Sequence, residues 1–279
     1  MPFSTLISVA ELAQIIDQPN LVIFDCRHEL TNADFGTAAY EKSHLPGARF
    51  AHVDRDLAAK PNGKNGRHPL PALQTFAQWL GRMGVSDETQ VVGYDNAGGV
   101  YASRLWWMLR WLGHDRVAVL DGGWDAWLAA SQPVSRDVPK PAEKRFLAKP
   151  REVNVDANFV LANLESADAT VIDARSNDRF HGQNETIDPV GGHIPGALNR
   201  FFKGNLDTSG RFKRPQQLRE EFLALLGQTQ PSNIVHQCGS GVSACHNLLA
   251  MEIAGLPGSR LYPGSWSEWV SDPKRPVAT

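Results

Sequence analysis

Ile234-Val235-His236-Gln237-Cys238-Gly239-Ser240-Gly241-Val242-Ser243-Ala244, continued by Cys245-His246-Asn247-Leu248-Leu249-Ala250-Met251, is the stretch whose reading decides the fold. An apolar strand ends on a cysteine, two glycines allow a tight loop, and a helical run follows at once. Such a loop aims backbone N–H groups and the positive end of a helix dipole at one sulfur. That arrangement favours the thiolate, the reactive form of cysteine. A cysteine in an apolar core has no need of Gly239, Ser240, Gly241 and Ser243 around it, whereas an anion-binding loop does.

Working outward, the chain says the same phrases twice. Leu21-Val22-Ile23-Phe24-Asp25-Cys26-Arg27 and His44-Leu45-Pro46-Gly47-Ala48 return as Thr170-Val171-Ile172-Asp173-Ala174-Arg175 and His193-Ile194-Pro195-Gly196-Ala197. Gln90-Val91-Val92-Gly93-Tyr94-Asp95 matches Asn233 to Cys238, and Gly122-Gly123-Trp124-Asp125-Ala126-Trp127 matches Gly264-Ser265-Trp266-Ser267-Glu268-Trp269. Paired landmarks in one order imply a duplicated domain. Short apolar strands alternate with helical patterns such as Leu73 to Leu80 and Leu218 to Leu226, so each half is expected to be a small parallel α/β sheet flanked by helices. The proline-rich, charged run from Gln132 to Lys144 reads as the linker. The expected division is 1–131, a linker over 132–150, and 151–279. Asp95, the counterpart of Cys238, is no sulfur nucleophile, so only the second half is expected to carry the reactive group.

With 279 residues, the chain has room for two domains of about 150 residues or less. A net charge of -2 lacks the basic excess of a nucleic-acid binder, and no run approaches the roughly 20 apolar residues of a membrane span. Three cysteines form no disulfide framework, and their spacing from the histidines is not that of a zinc site. A cytoplasmic protein without metal, membrane or nucleic-acid partner is expected. The tryptophans at 106, 107, 111, 124, 127, 266 and 269 sit on helical spacings that suit packing, and Cys26 and Cys245 are read as packing residues.

Taken together, these phrases resemble the two-domain rhodanese-like sulfurtransferases over essentially the whole chain. Cys238-Gly239-Ser240-Gly241-Val242-Ser243 is similar to the Cys-Gly-Ser-Gly-Val-Thr loop of the 3-mercaptopyruvate sulfurtransferases, not to the Arg- and Lys-bearing loop of thiosulfate rhodaneses. The chemistry agrees: thiosulfate is a dianion whose leaving sulfite calls for cations, whereas mercaptopyruvate is a monoanion whose leaving enolate calls for a proton.

The resemblance implies a sulfur transfer through Cys238, without cofactor, from 3-mercaptopyruvate or, as the alternative, thiosulfate, to thioredoxin, a small thiol or cyanide. It implies a proton-handling group of Ser240, His68 in Arg67-His68-Pro69, and Asp54, with Asp56 in reserve, His68 and the acid coming from the first domain across an interface. It implies that Arg179 binds the donor carboxylate, with Arg175 as a weaker candidate because Arg27 repeats it in the half without a nucleophile. Gly239, Gly241, Val242 and Ser243 would line the loop. Members of the animal type carry a further arginine after the position of Arg179, and Asn184-Glu185-Thr186-Ile187-Asp188-Pro189 has none. Two other classes fit the residues less well. A phosphatase would need an arginine where Ala244 stands, and a non-catalytic binding module would not need Cys238.

Overall fold

The computed structural model describes residues 2–279. Its strands are β1 (Leu6–Ile7), β2 (Leu21–Asp25), β3 (Arg49–Phe50), β4 (Gln90–Tyr94), β5 (Val117–Leu120), β6 (Thr170–Asp173), β7 (Leu198–Asn199), β8 (Ile234–Gln237) and β9 (Arg260–Leu261). They form two all-parallel sheets, in the orders β1-β5-β4-β2-β3 and β7-β6-β8-β9. Asn154 pairs Leu261 as an isolated parallel bridge where the first sheet has its edge strand β1. The chain is therefore α/β and duplicated, as its repeated phrases require.

Two units can be distinguished. The first comprises residues 1–59, 71–152 and 209–211, and the second 60–70, 153–208 and 212–279. Each has its own apolar core. In the first, Ile23, Val92, Ala118 and Leu120 pack with Trp127, and in the second, Val171, Val235 and Tyr262 pack with Trp266 and Trp269. Both faces of a parallel sheet are covered by helices, which is why β8 is buried throughout and β4 from Val91 onward. The run 132–150 contains no helix or strand and lies along the first unit, where Ser135 pairs His44 and Lys149 N–H reaches Leu112 O at 2.8 Å.

The repeated phrases prove to be joints of the scaffold. Asp25 and Arg27 form a two-pronged ion pair, as do Asp173 and Arg175, and in both the guanidinium also donates to a backbone carbonyl, of Ser43 or Gly192, at 2.6 Å. Each arginine lies over a tryptophan, Arg27 over Trp124 and Arg175 over Trp266. The histidine of His-x-Pro-Gly stacks on an aromatic ring, His44 on Tyr40 and His193 on Phe180. The second tryptophan of each Trp-x-x-Trp donates its indole N–H, to Pro133 O or Pro276 O, at 2.8 Å. Trp127 and Trp269 are thus each fixed by packing and one hydrogen bond.

His236 in β8 is fully buried, its Nε2 facing Met251 Sδ at 3.1 Å. Burial pulls its pKa down to about 3. An unfolded chain binds this proton below the ordinary pKa near 6.5 and the folded chain does not. The stability that His236 contributes is therefore complete above about pH 6.5 and is lost as pH falls toward about 3. His236→Leu should flatten the fall by roughly 1 kcal/mol per pH unit, as read by urea unfolding of both proteins from pH 7 to 4.5. Parallel curves would show that the imidazole does not stay neutral in the fold.

Candidate active site

Strand β8 delivers Cys238 to the C-terminal edge of its sheet, the end at which parallel sheets bind ligands. The thiol is free and 1% exposed. Its loop is strapped to the first turn of the helix Ser265–Trp269. Cys238 N–H donates to Ser265 Oγ at 3.1 Å, Cys238 O accepts the Trp266 N–H at 2.9 Å, and Gly239 O accepts the Ser267 N–H at 2.9 Å. Gly241 has φ 78°, and a side chain there would run into the Pro263 carbonyl. Held this way, Gly241 donates its N–H to Cys238 Sγ at 3.1 Å. The helix Ser243–Ile253 starts directly behind, with no side chain capping its first turn, so its N-terminal dipole is turned to the loop without a competing side-chain acceptor.

Ser265 escaped the reading of the sequence. It holds φ 54°, which costs a residue with a Cβ about 1–2 kcal/mol, and its counterpart Gly123 holds 55°. The hydroxyl, which donates to Tyr262 O at 2.9 Å and receives the Cys238 N–H, explains a serine at a glycine position. The glycine-to-serine difference between the two repeats was the available signal.

The first unit shows what this loop does to an anion. The Asp95 carboxylate receives the N–H groups of Ala97, Gly99, Tyr101 and Ala102 at 2.8–2.9 Å. Complete burial pushes the Asp95 pKa up, and the four donors oppose that rise. The cradle without a nucleophile thus carries its own carboxylate. In the second unit the place at the end of the strand belongs to a thiol.

Ser240, 6% exposed, points its Oγ at His68 Nδ1, 2.7 Å away. His68 belongs to the run 60–70, which packs with the second unit although the expected boundary put it in the first. That run is tied down by the Arg67 N–H to Ser267 Oγ at 3.0 Å, and its Gly66, at φ 82°, lies against Gly264 too closely for any side chain. Asp54 lies in the first unit, 38% exposed, with its carboxylate 3.9 Å from His52 Nδ1. Asp56 accepts the His52 N–H at 2.8 Å, and burial pushes its pKa up. Asp56 thereby closes its own turn.

Arg175, 1% exposed at its side chain, is committed to Asp173 and Gly192 and stands 3.5 Å from Glu185. The repeat of this joint in the first unit marks it as part of the scaffold. Arg179 is more open, donates to Glu185 from Nε and Nη2 at 2.9 Å, and reaches Asp188 at 3.1 Å. Burial works against charge on Glu185, but the Arg179 hydrogen bond and the N–H groups of Asp188 and Ile187 hold its pKa below the ordinary range. The other thiols lack these surroundings. Cys245 Sγ donates to Gly241 O at 3.3 Å, and burial, with the carboxylates of Asp95 and Asp25 nearby, pushes the Cys26 thiol far up. Among the described residues no group of three or more His, Cys, Asp or Glu could hold a metal ion, and no helix is long and apolar enough to cross a membrane.

Comparison with known proteins agrees with this architecture. The model of the rhodanese-like domain matches residues 8–130 and again 156–272. A probable 3-mercaptopyruvate sulfurtransferase of Pseudomonas aeruginosa is 44% identical, aligned over 100% of this chain and 99% of its own. A thiosulfate sulfurtransferase of Cricetulus griseus is 34% identical over 96% of this chain and 92% of its own. Among solved structures, the 3-mercaptopyruvate sulfurtransferase of Leishmania major superposes with a TM-score of 0.85 at 31% identity, covering 95% of this chain and 74% of that one. With both halves matched and full-length relatives on either side, the chain belongs to the rhodanese-like family as a tandem, two-domain member.

Proposed function

We propose that this chain is a 3-mercaptopyruvate sulfurtransferase, working in the cytoplasm. The observation that carries the reading is the neutral loop Gly239 to Ser243 around Cys238, joined to a buried Ser240–His68 hydrogen bond of 2.7 Å. The Cys238 thiolate attacks the sulfur of mercaptopyruvate. The carbon–sulfur bond breaks, its electron pair stays on carbon as the enolate of pyruvate, and that carbon takes a proton through Ser240 and His68. Cys238 is left as a persulfide, stabilised by the Gly241 N–H and by the helix terminus behind it. A second thiol, thioredoxin or a small molecule, then attacks the outer sulfur and returns the Cys238 thiolate. Cyanide can take the sulfur in the same way. Asp54 completes the proton-handling group as the resemblance assigns it.

Thiosulfate as donor is the second reading, favoured by the name of the Cricetulus griseus relative. Arginine is absent from the loop itself, however, and a leaving sulfite has no use for a proton donor. Purified protein with mercaptopyruvate and a dithiol should release pyruvate and sulfide, with kcat/KM at least tenfold above that for thiosulfate. A tenfold preference in the other direction would make the chain a thiosulfate enzyme.

A further inference from the structure

The short helix Ser265–Trp269 holds both the loop that carries Ser240 and the run that carries His68, and Ser267 does so through two separate atoms. Its N–H donates to Gly239 O at 2.9 Å, which fixes the loop. Its hydroxyl accepts the Arg67 N–H at 3.0 Å, one residue before His68, and donates to Gly264 O at 3.3 Å. With the proton committed to Gly264, the oxygen is left to accept from Arg67. The run 60–70 contains no helix or strand, and its own turn is closed by side chains. Asn65 Oδ1 accepts the Asn62 N–H at 2.8 Å, and Asn62 Oδ1 accepts the Lys64 N–H at 2.9 Å. Side chains also fasten the run to its surroundings: Ser267 at Arg67 N–H, Asp188 at the Arg67 guanidinium, and Ser271 Oγ, 3.4 Å from Lys64 O.

Building on the proposed function, we infer that Ser267 is a positioning residue for the proton transfer, setting the run 60–70 against the Cys238 loop so that His68 meets Ser240. The 2.7 Å contact between them joins two stretches that share no regular structure, and a shift of about 1 Å is enough to break such a catalytic alignment. The two atoms of Ser267 are separable. Its N–H to Gly239 belongs to the backbone and survives any substitution, whereas the hydroxyl serves the His68 run. The repeat supports this division. Trp124 N–H to Asp95 O at 2.8 Å and Trp266 N–H to Cys238 O at 2.9 Å are the same strap in both units. The next residue differs, an exposed Asp125 in the first unit and Ser267 in the second. The strap is thus common scaffold, and the hydroxyl is peculiar to the half with the nucleophile.

Ser267→Ala should lower kcat for mercaptopyruvate by about fivefold or more, the weight of one ordinary hydrogen bond, with KM changed less than about twofold. Thiosulfate turnover and the pH profile of Cys238 alkylation by iodoacetamide should match the parent, because the loop keeps its backbone straps. Ser267→Thr, which retains the hydroxyl, should recover most of the loss. In a His68→Gln background, adding Ser267→Ala should cost less than about twofold, since no imidazole remains to be placed. Gly66→Ala, which drives the run off the Gly264 carbonyl, should give the same donor-selective loss, and it decides the matter if Ser267→Ala does not fold. Equal losses with both donors, no loss, or a full loss that persists without His68 would overturn the role of Ser267. Failure of the proposed function is distinct, because His68→Gln would then turn over mercaptopyruvate as fast as the parent.

Discussion

Cys238→Ser is expected to remove sulfur transfer from every donor, by more than about 10⁴-fold, comparable to the loss of the nucleophile in other covalent enzymes. A serine oxygen cannot hold a transferable outer sulfur, and no other thiol stands in for Cys238. Cys245 donates to the Gly241 carbonyl from inside the helix, and Cys26 is fully buried, with its thiol held protonated by burial and nearby carboxylates. The loop should survive the change, because its straps to Ser265, Trp266 and Ser267 use only the backbone of Cys238 and Gly239. The parent protein, treated with mercaptopyruvate alone, should gain the mass of one sulfur atom on the Cys238 peptide, and the variant should not. Pyruvate formation by a well-folded Cys238→Ser would end the sulfurtransferase reading.

The second large effect is expected to depend on the donor. His68→Gln and Ser240→Ala should each lower mercaptopyruvate turnover by about 10²- to 10³-fold, within the range of general acid–base catalysis. Turnover of thiosulfate should change less than about threefold, since sulfite leaves without a proton. The double variant should be little worse than either single one, because the two groups act as one unit through the 2.7 Å contact. Removing one partner of a buried hydrogen bond costs about 1–3 kcal/mol of stability, so a moderate drop in Tm should accompany the kinetic loss. Asp54→Asn should show the same donor-selective loss if it completes the group, whereas Asp56→Asn should mainly weaken its turn around His52. Equal losses with both donors would mean that Ser240 and His68 only hold the loop in place.

Many features of the fold could be read locally. A five-residue strand such as β2 or β4 is written in a run of apolar residues, and the positions of Asp25, Arg27 and the Pro-Gly turns repeat because each half closes the same short-range joints. The same repeat told a scaffold arginine from one peculiar to the second half, since Arg175 has a twin and Arg179 does not. Ser265 was legible in principle, as the one departure from glycine at a backbone angle that both halves require.

The amino-acid sequence by itself determined the duplicated parallel sheets, the cysteine at the end of β8 and the neutral character of its loop. Strand patterning, turn chemistry and residue type act over a few neighbours and leave their mark in any short window. Tertiary structure alone decided which unit the run 60–70 joins, and with it the meeting of His68 with Ser240 and of Arg67 with Ser267. That run is rich in Gly, Pro and Asn and has no period to read. Its place is set by contacts across 121 to 200 residues of chain: the ion pair of Arg67 with Asp188, Gly66 against Gly264, and the Arg67 N–H to Ser267.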